Sequence, residues 1–207
     1  MSMTAGPKAN RRGAPTRRTS APRRRGDETR ARIIDETVRC VVEEGFAAAT
    51  AKHVAERAGV TWGVIQYHFG DRNGLLMAVV DDGVAKLLDS LNAIEVGALP
   101  PRERIEVVVD TAWHCYSSPT SLAAFEILRA TRGSLGDKSR RHLLEMNSAI
   151  GQLGRLISDG PANAGVAEVV WAALRGVIFA QMLIGTPVDW ERERRTLIDM
   201  VTHYLQR

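Results

Sequence analysis

Between residues 50 and 72 the chain gathers side chains that are suited to contact a polyanion. Lys52 and Arg72 carry cationic groups of the kind that bind phosphate oxygens. Thr50 and Thr61 can each cap a helix, which places two sets of free backbone N–H groups and two positive dipole ends near one surface. The amide of Gln66 can read adenine through two hydrogen bonds. These residue types indicate phosphate and base contacts.

The elements that would position these side chains are two short helices with the spacing of a helix-turn-helix, over residues 51–65. Ala55 is small enough to let the two helices touch. Gly59, four residues later, can adopt the positive φ of a tight turn. Four apolar side chains are predicted to point inward and set the angle between the helices: Val54, Ala58, Val60 and Ile65.

The second of these helices, from Trp62 to Phe69, is short enough to lie in a major groove. The indole of Trp62, at its exposed start, suggests a contact surface because it has no core role there. The alternative interpretation of Tyr67 and Phe69 is that they are packing residues, and Phe69 is expected to pack this helix against its neighbours. For His68 both interpretations stay open.

Further residues extend the motif: Ala58-Gly59-Val60-Thr61, Gly63, Ile65, Tyr67-His68-Phe69, Arg72 and Leu75-Leu76. Over about residues 28–80 the chain resembles the DNA-binding signature of the TetR family of bacterial transcription regulators. The resemblance implies an all-α protein of about nine helices, with a three-helix DNA-binding domain and a larger domain for ligand binding and dimerisation. It also implies DNA contacts from Thr50, Lys52, Thr61, Tyr67, His68 and Arg72. Gln66 departs from the usual tyrosine, and Arg72 with Asn73-Gly74 departs from the usual lysine and glutamate.

Residues 1–26 form a basic arm with no acidic side chain and eight basic ones: Lys8, Arg11, Arg12, Arg17, Arg18, Arg23, Arg24 and Arg25. The formal net charge is only +4, so the rest of the chain is acidic overall. The arm has almost nothing apolar to bury, and we expect it to be disordered when unbound. It could follow DNA phosphates or enter a minor groove, and the alternative is a dispensable extension.

The rest of the chain is predicted to comprise a DNA-binding domain over residues 27–71 and an effector and dimerisation domain over residues 72–207. Asp27 is the expected N-cap of the first helix, which should end near Glu44 because Gly45 supplies a left-handed stop. Gly and Pro breaks then separate segments of helical length with apolar residues three and four apart. These patterns predict nine helices and no strand.

The last two predicted helices differ in character, since the one at about residues 164–184 is apolar almost all round and the one at about residues 190–206 carries a broad apolar face. The resemblance implies that they form a four-helix bundle with a symmetry mate. The predicted dimerisation residues are Trp171, Leu174, Ile178, Leu197, Val201 and Tyr204. A homodimer suits a palindromic double-stranded operator, because two recognition helices ~34–36 Å apart, or a multiple of that, read both half-sites.

A small-molecule effector is expected between the predicted helices 4 to 7, although each candidate has core packing as its alternative. The candidate lining residues are Trp113, His114, Tyr116, Phe125, Leu128, Arg129, Met146 and Phe179. As a set they suggest an apolar or aromatic ligand, anionic if Arg129 faces inward. Repression relieved by the ligand is the usual behaviour of the family that the chain resembles, and no other cofactor is expected.

Other function classes find little support in the residues. Cys40 and Cys115 have no partner at metal-ligand or redox spacing and are interpreted as small buried hydrophobes. No nucleophile with its base, paired carboxylates or metal cluster is visible, so no catalytic or metal residue is predicted and an enzyme is not expected. Without an 18-residue apolar run or a secretory signal, we expect a cytoplasmic protein with no membrane partner. A sequence-tolerant architectural DNA-binding protein remains the alternative function.

Overall fold

A computed structural model describes residues 20–133, 153–157, 163–186 and 188–206, which fold as helices joined by turns. Eight helices have defined bounds: α1 (Ser20–Glu44), α2 (Ala51–Arg57), α3 (Trp62–Phe69), α4 (Arg72–Asn92), α5 (Pro101–Tyr116), α6 (Pro119–Thr131), α7 (Asn163–Ile184) and α8 (Glu191–Leu205). Residues 153–157 are a further helical segment, and no strand occurs in these four ranges. The predicted all-α fold of about nine helices is confirmed.

Helix α1 begins earlier than predicted. It starts at Ser20, so the expected N-cap Asp27 lies inside it and residues 20–26, expected to be disordered, are helical. Adding a turn to an existing helix avoids the cost of nucleation, and an i,i+4 pair of Arg24 with Glu28 at 3.9 Å supports the added turn. The remainder of the predicted basic arm, residues 1–19, lies outside the described residues.

Three left-handed glycines shape the N-terminal half: Gly45 at φ 86°, Gly59 at φ 63° and Gly70 at φ 79°. The sequence predicts Gly45 as the residue that ends α1 and Gly59 as the residue with positive φ in the turn after α2. Thr50 caps α2 as expected, since its side chain accepts a hydrogen bond from the His53 backbone N–H at 3.2 Å. Thr61 occupies the N-cap position of α3, but its side chain makes no capping hydrogen bond, so that prediction is wrong in its chemistry.

The buried apolar residues form two clusters. The N-terminal core draws on α1, α2, α3, the first half of α4 and α6, with Val54, Ile65 and Ile127 each fully buried. Of the four predicted inward residues, Val54, Ala58 and Ile65 are buried and Val60 is partly buried against this core. Helix α6 therefore packs with the DNA-binding unit although it follows that unit by fifty residues in the chain.

The C-terminal core combines α5, α7 and α8 with the end of α4. Leu91, Val109, Trp171 and Ile198 are among its buried members. The domain division at residues 71 and 72 stays a prediction. Helix α4 contributes to both cores, its first half to the N-terminal core and its second half to the C-terminal one.

A tight corner joins α3 to α4. The Asp71 carboxylate caps α4 by accepting a hydrogen bond from the Gly74 backbone N–H at 2.7 Å. A Cβ atom at Gly74 would lie only 1.9 Å from the Phe69 carbonyl oxygen, so the two backbones approach too closely for any side chain. This contact sets the direction of α3 relative to α4.

Candidate nucleic-acid interface and ligand cavity

Six of the eight predicted DNA-contacting residues are exposed: Thr50, Lys52, Thr61, Trp62, Gln66 and Tyr67. The side chains of α3 divide clearly, because Ile65 is fully buried while Tyr67 is 85% exposed and Trp62 47% exposed. The turn that positions α3 closes with a hydrogen bond from the Val60 N–H to the Ala55 carbonyl at 3.0 Å. The result is a helix with one anchored face and one open face.

His68 and Phe69 lie where α3 meets α1. The His68 ring is half-buried between Tyr67 and Phe69, at centroid distances of 5.0 Å and 6.0 Å. A Cβ at Gly26 would lie 3.9 Å from His68 Cε1, which places the basic start of α1 beside the recognition helix. Phe69 packs against the N-terminal core, as predicted, with the Arg30 guanidinium 5.4 Å from its ring centroid.

Arg72 has a different role from the predicted one of binding phosphate. Its Nε donates a hydrogen bond to the Ala49 carbonyl at 2.8 Å, and its Nη2 donates to the Phe46 carbonyl at 3.0 Å. The guanidinium also lies 4.6 Å from the Phe46 ring centroid. Because these carbonyls belong to the turn between α1 and α2, Arg72 joins the start of α4 to that turn.

Ion pairs tie α2 to the end of α1. Arg57 pairs with Glu44, with Glu43 at 2.7 Å and with Glu36 at 3.5 Å. The hydrogen bond from His53, followed by that from Arg57, lowers the pKa of Glu44 from its ordinary value. The hydrogen bond to Glu43 raises the pKa of Arg57 from its ordinary value.

A cavity of about 860 Å³ lies between α6 and α7. Three of the predicted effector residues line it, namely Phe125, Arg129 and Phe179. Two charged residues that the sequence analysis did not propose, Glu126 and Arg175, also line it, and apolar side chains such as Met182 complete the wall. The cavity therefore combines an apolar surface with two guanidinium groups and one carboxylate.

Two predicted effector residues on α5 do not line this cavity. Trp113 stacks on Trp190 at a centroid distance of 4.2 Å, which places it against the C-terminal core. His114 is exposed, with Nδ1 2.7 Å from the Asp110 carbonyl of its own helix. Helical periodicity marks an apolar face without saying which neighbour covers it.

Tyr116 and Leu128 border a second, small space of about 30 Å³, which Phe125 also lines. The Tyr116 side chain is 2% exposed, and its hydroxyl has no hydrogen-bond partner among the described residues. Burial raises the pKa of Tyr116, so the hydroxyl keeps its proton and is a donor. Met146, the last predicted effector residue, lies outside the described residues.

Most of the predicted dimerisation residues face the interior of their own chain. Trp171, Leu174, Ile178 and Val201 are at most 5% exposed within one chain, and Leu197 is half-buried. Of the six, Tyr204 is exposed, at 57%. Helix α7 is apolar on several faces, so its sequence could not distinguish the inward face from the outward one. The large apolar residues exposed on α7 and α8 are Val169, Phe179, Leu183, Ile184, Met200 and Tyr204.

Glu126 connects the cavity to the DNA-binding unit. Its Oε1 accepts a hydrogen bond from the Phe46 backbone N–H at 2.9 Å, across 80 residues of sequence. The same residue lines the cavity between α6 and α7. No local sequence signal marks this role, because the contact exists only once α6 packs on α1.

An all-helical fold with an exposed recognition helix after a glycine turn defines a helix-turn-helix DNA-binding protein. Residues 33–79 match the family model described as bacterial regulatory proteins, tetR family. The HTH-type transcriptional regulator BetI of Escherichia coli K12 is 27% identical over 190 residues, which are 85% of this chain and 93% of that protein. BetI of Burkholderia cenocepacia HI2424 is 36% identical over 81 residues, 39% of this chain and 42% of that protein.

A solved structure shows the same fold. PfmR, a TetR family transcriptional regulator from Thermus thermophilus, superposes with a TM-score of 0.67 at 14% identity, covering 83% of this chain and 97% of that one. Residues 33–79 thus match the DNA-binding part of the tetR family, and the described chain has the fold of a TetR family regulator. Regulators of this family bind DNA and small-molecule ligands and act as dimers.

Proposed function

We propose that this chain is a cytoplasmic repressor that binds a palindromic operator as a homodimer and is released from it by a small-molecule effector. One contact carries this proposal. Glu126 lines the large cavity and also accepts the hydrogen bond of the Phe46 N–H in the turn before α2. A ligand that displaces Glu126 therefore acts directly on the backbone that positions the DNA-reading helices.

The operator contacts come from the six exposed residues of α2, α3 and their N-caps, defined above. Lys52, with its side chain 88% exposed, is placed to bind a phosphate, and Gln66 is the candidate for reading a base. The α3 sequence holds no acidic residue, so nothing on that helix repels the duplex. Arg24 and Arg25, exposed near the start of α1, extend the cationic surface towards the flanking phosphates.

The turn between α1 and α2 transmits the effector signal. Phe46 is held from two sides, because its N–H bonds to Glu126 of α6 and its carbonyl bonds to Arg72 of α4. A shift of α6 pulls on this turn and changes the angle of α2 and α3. If the effector favours the shifted arrangement, DNA weakens effector binding by the same factor that the effector weakens DNA binding.

The effector is best described as an apolar or aromatic molecule with an anionic group. Arg129 and Arg175 provide two cationic anchors at the cavity, while Phe125, Phe179 and Met182 provide apolar surface. The carboxylate of Glu126, which also lines the cavity, is already engaged by the Phe46 N–H. A fatty or aromatic carboxylate matches this combination, since guanidinium groups bind carboxylates with two parallel hydrogen bonds.

The dimer surface follows from the outward face of α7. Val169, Ala172, Gly176, Phe179 and Leu183 are exposed at alternating spacings of three and four, which is a single helical stripe. The last four also line the cavity, so a partner packed on this stripe would border the bound effector as well. On α8, Met200 and Tyr204 are exposed one turn apart. A stripe of this kind needs a partner, and a second copy of the chain presents the same stripe in return.

A membrane is the other apolar environment to weigh for α7. Residues Gly165–Ile184 are long and apolar enough to span one by length and composition, with only 28% of the most apolar window buried in the chain. However, Glu168 and Arg175 are exposed on this helix, and charges at such positions are costly in lipid. A symmetric protein interface accommodates both.

Operator specificity is tested by selecting bound fragments from the source genome and measuring affinity with random DNA as competitor. We expect a preference of ~10³ or more for the selected site. Gln66→Ala should reduce the discrimination between bases at one base pair by ~1–3 kcal/mol, whereas Lys52→Ala should weaken binding to all DNA sequences alike. Equal binding of selected and random duplexes would instead favour the architectural DNA-binding alternative.

The dimer surface is tested by Val169→Glu, with Val107→Glu on α5 as the matched control, since Val107 is also exposed, at 38%. Sedimentation should show a monomer for the first variant and an unchanged dimer for the second. The monomer should bind the operator weakly, because one recognition helix reads only one half-site. An undisturbed dimer in Val169→Glu would remove this stripe from the interface.

The effector cavity is tested with anilinonaphthalene sulfonate, an aromatic anion whose fluorescence reports transfer to apolar surroundings. Arg129→Ala and Arg175→Ala should each weaken its binding, and the bound dye should lower DNA affinity in the wild type. Allosteric coupling typically changes the affinity for one ligand by roughly 5- to 150-fold when the other ligand is bound. In Glu126→Ala, the bound dye should lower DNA affinity by a smaller factor than in the wild type. Glu126→Gln, which keeps an oxygen acceptor for the Phe46 N–H, is the control and should preserve the coupling.

A further inference from the structure

Three side chains that can bind a metal ion meet where α1 ends and α2 begins. The ligand atoms of Cys40, Glu44 and His53 all lie within 4.8 Å of one another. Cys40 and Glu44 are one helical turn apart on α1, and His53 approaches from α2, with Nε2 2.9 Å from Glu44 Oε2. The spacing of Cys40 along the sequence does not mark such a site, because the third ligand comes from the next helix.

We propose that these three residues form a site for a divalent transition metal, of the zinc class, which joins α2 to α1. One thiolate, one imidazole and one carboxylate oxygen are the ligand types that zinc prefers. Three protein ligands leave the fourth tetrahedral position for water. The site shares no residue with the DNA contacts or with the cavity between α6 and α7.

The geometry requires only small side-chain movements. Zinc lies about 2.0–2.3 Å from nitrogen, oxygen and sulfur ligands, so tetrahedral ligand atoms are roughly 3.3–3.7 Å apart. The imidazole and carboxylate are slightly closer than this, and all three ligand atoms are within 4.8 Å. A metal ion replaces the hydrogen bond between His53 and Glu44 with two coordinate bonds.

The ion pairs around the site do not use the Glu44 oxygen that would bind a cation. Glu44 uses its two oxygens separately, since Oε1 pairs with Arg57 and Oε2 faces His53. The Arg57 charge is shared with Glu43 and Glu36 as well. Metal binding at Oε2 therefore leaves the pair with Arg57 in place.

Coordination moves two protons. The Cys40 thiol releases its proton to solvent as the sulfur–metal bond forms, and no electron is transferred. The proton that His53 Nε2 shares with Glu44 Oε2 also leaves Nε2 as the nitrogen–metal bond forms, and the ligating imidazole carries its proton on Nδ1. Cys40 is fully buried and His53 is half-buried, so the metal reaches the site from the His53 side. Once bound, it holds α2, which carries Lys52, against α1.

Cobalt(II) is the probe for this site, because a thiolate ligand gives it an intense charge-transfer absorption. The full chain is stripped with a chelator and titrated with Co²⁺, then with Zn²⁺ as competitor. We expect one Co²⁺ per chain with a thiolate band, displaced by Zn²⁺. Cys40→Ser should lose the band, and His53→Ala should weaken Co²⁺ binding at least tenfold. Cys115→Ser, which changes the other free cysteine, should behave as wild type.

Thermal unfolding gives a second measurement that does not depend on the thiolate spectrum. Zn²⁺ at a hundredfold excess over its Kd should raise the Tm of the wild type by roughly 5–10 °C. His53 is half-buried, so the His53→Ala chain should fold and show little rise. A wild type without a thiolate band, a band that survives Cys40→Ser, or a band that disappears in Cys115→Ser would each overturn the site. None of these outcomes affects the proposed repressor function.

Discussion

Replacing Arg72 separates two roles that one guanidinium can have in a DNA-binding domain. The structure directs its Nε and Nη2 to the carbonyls of Ala49 and Phe46, at 2.8 Å and 3.0 Å. A phosphate ligand would instead have its donors free for DNA. Arg72→Ala should therefore act mainly on the stability of the fold.

The size of this effect follows from the interactions that the alanine side chain cannot make. Hydrogen bonds from a charged donor contribute about 1.5–3 kcal/mol each, and a cation–π interaction such as that with Phe46 adds about 0.5–1 kcal/mol. Arg72 is only half-buried, so in the variant water can replace part of the lost hydrogen bonding. We expect the free energy of unfolding to fall by about 2–4 kcal/mol, which for a chain of this length lowers the Tm by roughly 5–15 °C.

Two assays are needed, urea or thermal unfolding for stability and the salt dependence of affinity for random duplex DNA. Lys52→Ala is the matched control, because the Lys52 side chain is 88% exposed and pairs, within the described part of the chain, with Glu56 at 4.0 Å. The control should keep its Tm, while the slope of log K against log salt becomes shallower by about 0.9 for each phosphate that is no longer neutralised. Arg72→Ala should be less stable and keep its slope.

Arg72→Lys sharpens the test. A lysine keeps the charge for a phosphate but cannot reproduce the two-pronged hydrogen bonding to Ala49 and Phe46. We expect it to be destabilised too, although less than the alanine variant. If both Arg72 variants melted like the wild type, and Arg72→Ala shared the shallower slope of Lys52→Ala, the structural role assigned to Arg72 would be refuted.

Three further predictions concern the same half of the chain. Gly74→Ala should lower the free energy of unfolding by roughly 3 kcal/mol or more, because its Cβ would lie 1.9 Å from the Phe69 carbonyl oxygen. Gly133→Ala is the control in urea denaturation, because a Cβ there meets nothing within 4 Å. Equal unfolding midpoints for the two variants would contradict the close approach at Gly74. Trp62→Ala should weaken operator binding in a gel-shift assay with little change in Tm, and unchanged affinity would remove the indole from the interface. Deleting residues 1–19 should weaken binding to all sequences and preserve operator preference, and unaltered affinity and salt slope would show the arm to be dispensable.

The sequence alone determined the local architecture of the DNA-reading unit. Gly59 is required by a positive φ of 63°, Thr50 by the capping of α2, and Ile65 by the inner face of α3. Each depends on residues within a few positions along the chain, so the local pattern contains the necessary information. The exposed positions of α3 follow from the same periodicity.

Tertiary structure decided where each apolar or charged face is directed. Helix α7 is apolar on several sides, and only its packing on α5 shows that Trp171 and Ile178 face inward while Val169 and Leu183 face outward. The same holds for Trp113, whose neighbour is Trp190. A residue's hydrophobicity predicts that it is covered, but it does not identify the element that covers it.

Long-range contacts also decided the roles of the polar residues that join one helix to another. Arg72 and Glu126 meet the same Phe46 residue from α4 and α6, and His53 meets Cys40 and Glu44 from the following helix. Their partners are backbone groups or side chains brought close by packing, and backbone groups carry no sequence signature. Periodicity and capping determine the helices, whereas the packing of the helices determines which polar atoms meet.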